Sequence, residues 1–374
     1  MRVIWDFDGV LIKKFSGLYT YGAGLLSGFD KLAERPDIVG LYSGKFSKDA
    51  HRLGGDYSGW VSLKKIPIKR RWLDKIWSHF RYPALQWLIG DFGIYHCLFH
   101  FMPPTAAKPC IMTVHDMRRY KLRELYINPK LWRFERAYAR ADHFIAVSQS
   151  TKNDLCQIFG ISQDKVTVIH LAADERLSPL PQNDKNCLKT KFSEQVKASL
   201  NRFVIAVSTF DTRKNIERII AAFRNVRKEL PAGTKLVVAG EQPGDFGKPG
   251  REKAYLDENV VWTGFVDNLT DWLGCADALV YPSLYEGFGI PILEAFACGV
   301  PVITSNCSSM PEVAGGAAVL VNPYDEHSIA QAIADVCDDE GLRARLVRSG
   351  LDRNRQFSWT KTAVQTLEVY RKIL

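Results

Sequence analysis

Short apolar runs rich in β-branched and aromatic residues punctuate the first half of the chain. They are VIW near the start, IVGLYS (38–43), IYHCLF (94–99), CIMTV (110–114), HFIAVS (143–148) and VTVIH (166–170). Each has the length and composition of a strand. Helical spacing lies between several of them, as in LWRFERAYARA. A polar, proline-containing stretch, LSPLPQNDKNCLKTKFSEQ, then reads as a linker. The alternation restarts with FVIAVS (203–208), KLVVAG (235–240), NVVWTG, DALVYPS (277–283), PVITS (301–305) and AAVLV (317–321), each followed by a polar turn or a helix. Strands alternating with helices predict parallel sheets covered on both faces. Two such blocks predict two doubly wound α/β domains with a cleft between them.

Length and composition agree with that division. A chain of 374 residues suits two domains of ordinary size, and 46% hydrophobic with 24% charged residues is the balance of a soluble globular protein. The eight cysteines (97, 110, 156, 187, 275, 298, 307 and 337) are scattered, without a CxxC pair or a zinc-spaced His cluster. This predicts a reduced, cytosolic chain with no structural metal. Arg2, Asp6 and Asp8 stand where a signal peptide needs an apolar core, and no apolar run approaches the length of a membrane span. The expected location is the cytoplasm, or the inner face of the cell membrane as a peripheral protein.

The net charge of +9 is uneven. Between Val61 and Arg81, Lys64, Lys65, Lys69, Arg70, Arg71, Lys75 and Arg81 face one acidic residue, Asp74, and are interleaved with Trp72, Trp77 and Phe80. Two readings stand: a solvated surface with a packed aromatic face, or an anionic-membrane patch extending over 61–87. No nucleic-acid motif accompanies the charge.

Candidate chemistry concentrates in YPSLYEGFGIPILEAFACGVPVITSN. A strand runs into a loop carrying Glu286 and Gly287-Phe288-Gly289, and Pro291 then opens a helix. Glycines let backbone N–H groups approach a ligand, and a helix start attracts anions. Glu294 is expected on the first turn, so that two carboxylates, which accept from hydroxyls, flank an anion site. The ligand that fits is phosphate in the middle and polyol at both ends, a nucleotide sugar. In VSTFDTRKNIERIIAAF, Arg213 and Lys214 precede Asn215, a candidate N-cap for a helix with the stripe Ile216, Ile219, Ile220 and Phe223. Two cations there suit a diphosphate, although a solvated pair would look the same. The opening Asp6-Phe7-Asp8-Gly9-Val10-Leu11 is compatible with a haloacid-dehalogenase-type phosphatase, a manganese-binding DxD, or a plain first strand.

Taken together, these stretches resemble the retaining glycosyltransferases of family 4. EGFGIPILE matches their Glu-x7-Glu motif, VSTFDTRKN their phosphate loop, VWTGFV their base-binding turn and MTVHDM their active-site His-Asp. ADHFIAVSQSTKNDL and KVTVIHLAAD match two further segments, so the resemblance covers nearly the whole chain. It implies the GT-B fold, two Rossmann-like domains facing across a cleft, with an acceptor-side domain over 1–180, a linker over 181–200, a donor-binding domain over 201–355, and a C-terminal helix over 356–374 returning to the first domain.

The opening stretch also resembles bacterial O-antigen mannosyl- and rhamnosyltransferases, with Asp6 at the Asp of their Asp-Ala-Arg and Ser16-Gly17-Leu18 at a glycine loop beside the donor diphosphate and the acceptor. Phe7 and Asp8 replace Ala-Arg, and Ser208 replaces a frequent Gly. A phosphatase would need a later Ser/Thr, a Lys and an acidic pair in a suitable context, and Asp338-Asp339 sits in a polar helix near the C-terminus.

The resemblance implies the roles. Arg213 and Lys214 hold the diphosphate, Glu294 the ribose and Glu286 the donor sugar. Gly17, Val266, Gly287, Phe288 and Gly289 line the donor, and His115 with Asp116 stands at the reacting face. The alternative for His115 is a capping or core histidine. The expected reaction is metal-independent, retaining, front-side transfer of mannose or D-rhamnose from a GDP-sugar to a glycan or lipid-linked glycan in cell-surface polysaccharide synthesis. The alternatives are a UDP-sugar donor or a non-catalytic nucleotide-sugar-binding subunit.

Overall fold

The computed structural model describes residues 1–11, 17–43, 47–55, 57–66, 70–80, 82–99, 102–126, 131–207, 211–240, 257–266 and 268–374. The chain divides into two compact units, Met1–Leu171 with Ser358–Leu374, and Ala172–Phe357. Among the described residues, the first unit holds a seven-stranded parallel sheet. Its strands are β1 (Arg2–Asp6), β2 (Asp37–Ser43), β3 (Val61–Ile66), β4 (Ile94–Cys97), β5 (Cys110–Val114), β6 (His143–Ala146) and β7 (Val166–Val168), in the order β3-β2-β1-β4-β5-β6-β7. The second unit holds six parallel strands, β8 (Arg202–Val207), β9 (Thr234–Ala239), β10 (Val260–Gly264), β11 (Ala278–Tyr281), β12 (Val302–Ser305) and β13 (Val319–Val321), ordered β10-β9-β8-β11-β12-β13. Both sheets are doubly wound, and the chain reverses its direction of travel between β1 and β4 and between β8 and β11. Ligands of such sheets bind beyond the carboxyl ends of the strands at this reversal.

The central strands are continuous apolar runs because helices cover both faces: Val3, Ile4 and Trp5 of β1 and Phe203, Val204, Ile205 and Ala206 of β8 are all fully buried. β3 departs from that pattern and has no counterpart in the sequence reading. Among the described residues it pairs only with β2, and it carries exposed Lys64 and Lys65, charges that suit a sheet edge. Residues 181–200, expected as a linker, instead contain the helix Gln182–Val196 in the second unit. Only Phe192 of that helix is buried, stacked 3.9 Å from the Trp272 ring, so the apolar periodicity is too sparse to announce a helix.

In the first unit the C-terminal helix Trp359–Ile373 lies against the helix Gly17–Asp30. Glycines make the approach possible, because a methyl group at Gly28 would stand 2.1 Å from the Trp359 carbonyl oxygen. Phe7 is accommodated the same way: a methyl group on Gly40 of β2 would meet its ring at 2.7 Å.

A chain of buried hydrogen bonds crosses this unit. The Trp5 indole donates to the Tyr370 hydroxyl at 3.1 Å, which lies 2.6 Å from His96 Nδ1. His96 Nε2 meets the Thr113 hydroxyl at 2.8 Å, and that hydroxyl meets Tyr21 at 2.9 Å. Burial and the neighbouring His115 pull the His96 pKa down to about 3. His96 therefore folds neutral.

The Gly28→Ala variant should lose about 1–3 kcal/mol of stability, since backbone rather than a flexible side chain opposes the new methyl group. Thermal unfolding checks this, and an unchanged midpoint would show that the two helices do not need their present spacing.

Candidate functional site

The loop after β8 and the loop after β11 lie side by side at the reversal point of the second sheet. Arg213 and Lys214 occupy a single 3-10 turn, Thr212–Lys214, and Glu286 lies five residues beyond the end of β11. All three are buried. Glu286 Oε1 accepts from Lys214 Nζ at 2.6 Å and from the Tyr281 hydroxyl at 2.8 Å, and its Oε2 pairs with Arg213 Nη1. Arg213 is also held by Asp211 at 2.7 Å and by the Tyr285 carbonyl at 3.1 Å. The Lys214 ammonium sits 4.4 Å above the Tyr281 ring and contacts its hydroxyl.

Burial governs the ionisation here. Desolvation alone would raise the Glu286 carboxyl, but the charges of Arg213 and Lys214 outweigh it and hold the group well below the usual carboxylate range. Burial lowers Lys214 to about 8, against the opposing charge of Glu286. Buried charges of this kind persist only as partners, because each alone would cost several kcal/mol of desolvation.

Asn215 occupies the N-cap position of the helix Ile216–Val226, with the stripe Ile216, Ile219, Ile220 and Phe223 buried. Its side chain does not cap that helix. Instead the amide donates to the carbonyls of Pro282 and Pro323, at 3.0 and 2.6 Å, tying the loop after β8 to the loops after β11 and β13.

Gly287, Phe288 and Gly289 carry the chain from Glu286 to the helix Ile290–Ala297, with Gly289 in the left-handed region at φ 105°. The Phe288 side chain is buried against Phe357. The Ser309 hydroxyl donates to the carbonyls of Glu286 and Phe288, at 2.9 and 2.8 Å, fixing the loop from behind. Glu294 falls on the second turn of the helix, not the first, because the helix begins at Ile290 rather than at Pro291. It is half-buried, and burial with the charge of Asp174 lifts its pKa to about 7. Val266 is half-buried just past β10, after Gly264 at φ 71°.

The first unit carries the remaining candidates. His115 follows β5, and its Nε2 lies 2.8 Å from the Leu98 carbonyl. A carbonyl only accepts, so Nε2 holds the hydrogen and a neutral ring leaves Nδ1 as an acceptor. Burial lowers the His115 pKa, and the Tyr21 ring packs edge-on at 4.8 Å. Asp116 accepts from the Arg118 backbone N–H at 3.1 Å and faces its guanidinium at 3.5 Å. Both residues line a cavity of about 40 Å³ with Phe99, Tyr120, Phe134 and Tyr138. Gly17 begins the helix that carries Tyr21 and is exposed. Ser16 and Ser208 lie outside the described residues. Asp6 and Asp8 are both buried, and Asp8 Oδ1 accepts from the Ser43 N–H at 2.8 Å, closing the end of β2. Among the described residues no group of three or more His, Cys, Asp and Glu is placed to hold a metal.

Three contributors escaped the sequence reading: Tyr281, Asp211 and Ser309. Tyr281 alone left a signal there, as the one hydroxyl in the otherwise apolar run ALVY.

Residues 29–177 match the description Glycosyltransferase Family 4, and residues 189–353 match Glycosyl transferases group 1. O-antigen chain mannosyltransferase B of Escherichia coli is 26% identical over 296 residues, 76% of each chain. The serotype-specific mannosyltransferase WbdA of Escherichia coli is 32% identical over 260 residues, 67% of this chain but only 31% of that longer protein. Among solved structures, Anabaena Alr3699/HepE in complex with UDP and glucose superposes with a TM-score of 0.69 at 17% identity, covering 98% of both chains. With paired α/β domains of the GT-B fold and both halves matched, the chain belongs to the family 4 glycosyltransferases.

Proposed function

We propose that this glycosyltransferase moves mannose or D-rhamnose from a GDP-sugar to a glycan or lipid-linked glycan during O-antigen or related polysaccharide synthesis, with retention and without a metal. The observation that carries the reading is the buried pair Arg213 and Lys214 at the reversal of the second sheet, with Glu286 between them. Cations fixed there bind a diphosphate and stabilise the charge that grows on it as the sugar–phosphate bond breaks. The leaving phosphate takes the acceptor's proton on the same face, which accounts for retention with no nucleophilic side chain. Mannosyltransferases among the relatives favour the sugar. A UDP-sugar is the second reading, favoured by the UDP in the Alr3699/HepE complex. Against a purely binding subunit stands the presence in one chain of Arg213, Lys214, Glu286 and Glu294, which such a subunit has no need to keep together.

Purified protein should transfer hexose from GDP-mannose or another member of a nucleotide-sugar panel to a mannosyl acceptor in the presence of EDTA. Activity lost with EDTA and regained with manganese would refute the metal-independent mechanism.

Glu294 is assigned to the ribose, with its carboxylate accepting from the hydroxyls. Its pKa near 7 means that the accepting form is gained as pH rises, while Lys214, near 8, loses its charge above that. Nucleoside diphosphate affinity should therefore peak between about pH 7 and 8, and Glu294→Gln should remove the acid limb and weaken binding. Calorimetric titration across this range decides the matter; an acid limb that survives in Glu294→Gln would reassign it.

The acceptor side is assigned to an anionic membrane surface through residues 61–87. The helix Arg70–His79 buries Leu73 and Trp77 but leaves Trp72 half exposed, and Phe80, Tyr82 and Trp87 are exposed beside it. Lys64, Lys65 and Lys75 are exposed on the same stretch, and Lys69 and Arg81 lie outside the described residues. No helix among the described residues is long and apolar enough to cross a membrane. Each cation near an anionic surface contributes about 1 kcal/mol, and the attraction decays as the Debye length shrinks from about 10 Å at 0.1 M salt to about 3 Å at 1 M. The protein should co-sediment with phosphatidylserine vesicles but not neutral ones at low salt. Substituting Trp72→Ser, Lys75→Glu and Trp87→Ser together should abolish this while leaving nucleotide binding intact. Equal sedimentation of the triple variant would return the segment to an ordinary solvated surface.

A further inference from the structure

The residues around Glu286 carry an arrangement that simple donor binding does not require. Arg213 and Lys214 are already neutralised, by Glu286 and Asp211, so the cluster of two cations and two carboxylates is formally uncharged. A diphosphate would bring at least two more negative charges into a desolvated pocket beside Glu286. Like charges repel strongly in a pocket with so little water, so ligand and carboxylate compete for the same two cations.

Tyr281 is placed to resolve the competition. Its hydroxyl donates to Glu286 Oε1 at 2.8 Å and is in contact with Lys214 Nζ, and it is buried at the end of a central strand. That strand end is pinned by the Thr304 hydroxyl, which donates to the Tyr281 carbonyl at 2.9 Å. Burial and the Glu286 charge push the phenol pKa well above its usual value, so it stays a donor.

We propose that Tyr281 is the positioning residue of a charge exchange: the diphosphate takes Arg213 and Lys214 from Glu286, Tyr281 keeps its hold on the carboxylate, and the freed oxygen accepts from a hydroxyl of the donor sugar. This rests on the nucleotide-sugar reading above. Its consequence is directional. With a sugar present, the displaced carboxylate gains a new donor. Once the sugar has been transferred, that added donor is gone and the carboxylate returns to the cations, weakening the grip on the nucleoside diphosphate product. Glu286 thus opposes product and favours donor, and Tyr281 keeps it in reach of both.

The test compares wild type, Glu286→Gln and Tyr281→Phe by calorimetry with GDP, UDP and ADP and with GDP-mannose and UDP-glucose, alongside steady-state kinetics. Glu286→Gln, of nearly equal volume, should bind the diphosphate at least about ten-fold more tightly than wild type, while its preference for the nucleotide sugar over the free diphosphate shrinks. Tyr281→Phe should leave the diphosphate affinity within about three-fold and lower kcat with little change in KM, a split that loss of packing would not produce. If wild type binds a diphosphate and Glu286→Gln binds it equally or less tightly, the exchange is wrong although the nucleotide reading stands. If Tyr281→Phe retains full kcat, Tyr281 has no positioning role. If wild type binds none of the nucleotides, the nucleotide-sugar reading itself falls and the exchange with it.

Discussion

A carboxylate buried against an arginine and a lysine is the constraint around which the second unit is organised. Neither Arg213 nor Lys214 could be buried alone, and Glu286 could not be buried without them. Meeting that requirement forces two loops far apart in the chain to share one place, and the parallel sheet supplies it by setting β8 next to β11. The surrounding contacts follow from the same need. Asn215 ties the loops together, Ser309 holds the carbonyls behind the Glu286 turn, and Tyr281 gives Glu286 Oε1 a second donor beside Lys214.

The first unit solves a related problem with neutral groups. Trp5, Tyr370, His96, Thr113 and Tyr21 form one buried chain of hydrogen bonds, so each polar atom taken from water has a partner. Tyr21 ends that chain and packs on His115, whose orientation is set from the other side by the Leu98 carbonyl. The helix Trp359–Ile373 contributes Tyr370, which ties the last residues of the chain to the centre of its first sheet. Gly24 and Gly28 let that helix approach, because a methyl group at either would collide with Trp359.

Legibility in the sequence followed the range of the interactions involved. Most strands were readable because burial on both faces demands an uninterrupted apolar run, and the helix after Asn215 because its buried stripe repeats at helical spacing. β3 was not, since an edge strand with lysines at 64 and 65 has no such run. The helix Gln182–Val196 was hidden for a similar reason, with a single buried aromatic to dock it. In the segment after β3, charge and aromatic content were visible, but not that Trp77 turns inward while Trp72 stays half exposed.

The sequence by itself determined the two α/β blocks, the family to which they belong and the residue types proposed to meet a nucleotide sugar, because periodicity and short motifs are local properties. Only the tertiary structure decided that Arg213 and Lys214 are spent on Glu286, that Tyr281 joins them, and that Asn215 bridges loops instead of capping its helix. Lys214 and Glu286 are 72 residues apart in the chain, as His96 and Tyr370 are 274 apart. Such pairings depend on strand order and on the cost of burying charge, and no window of sequence contains both partners.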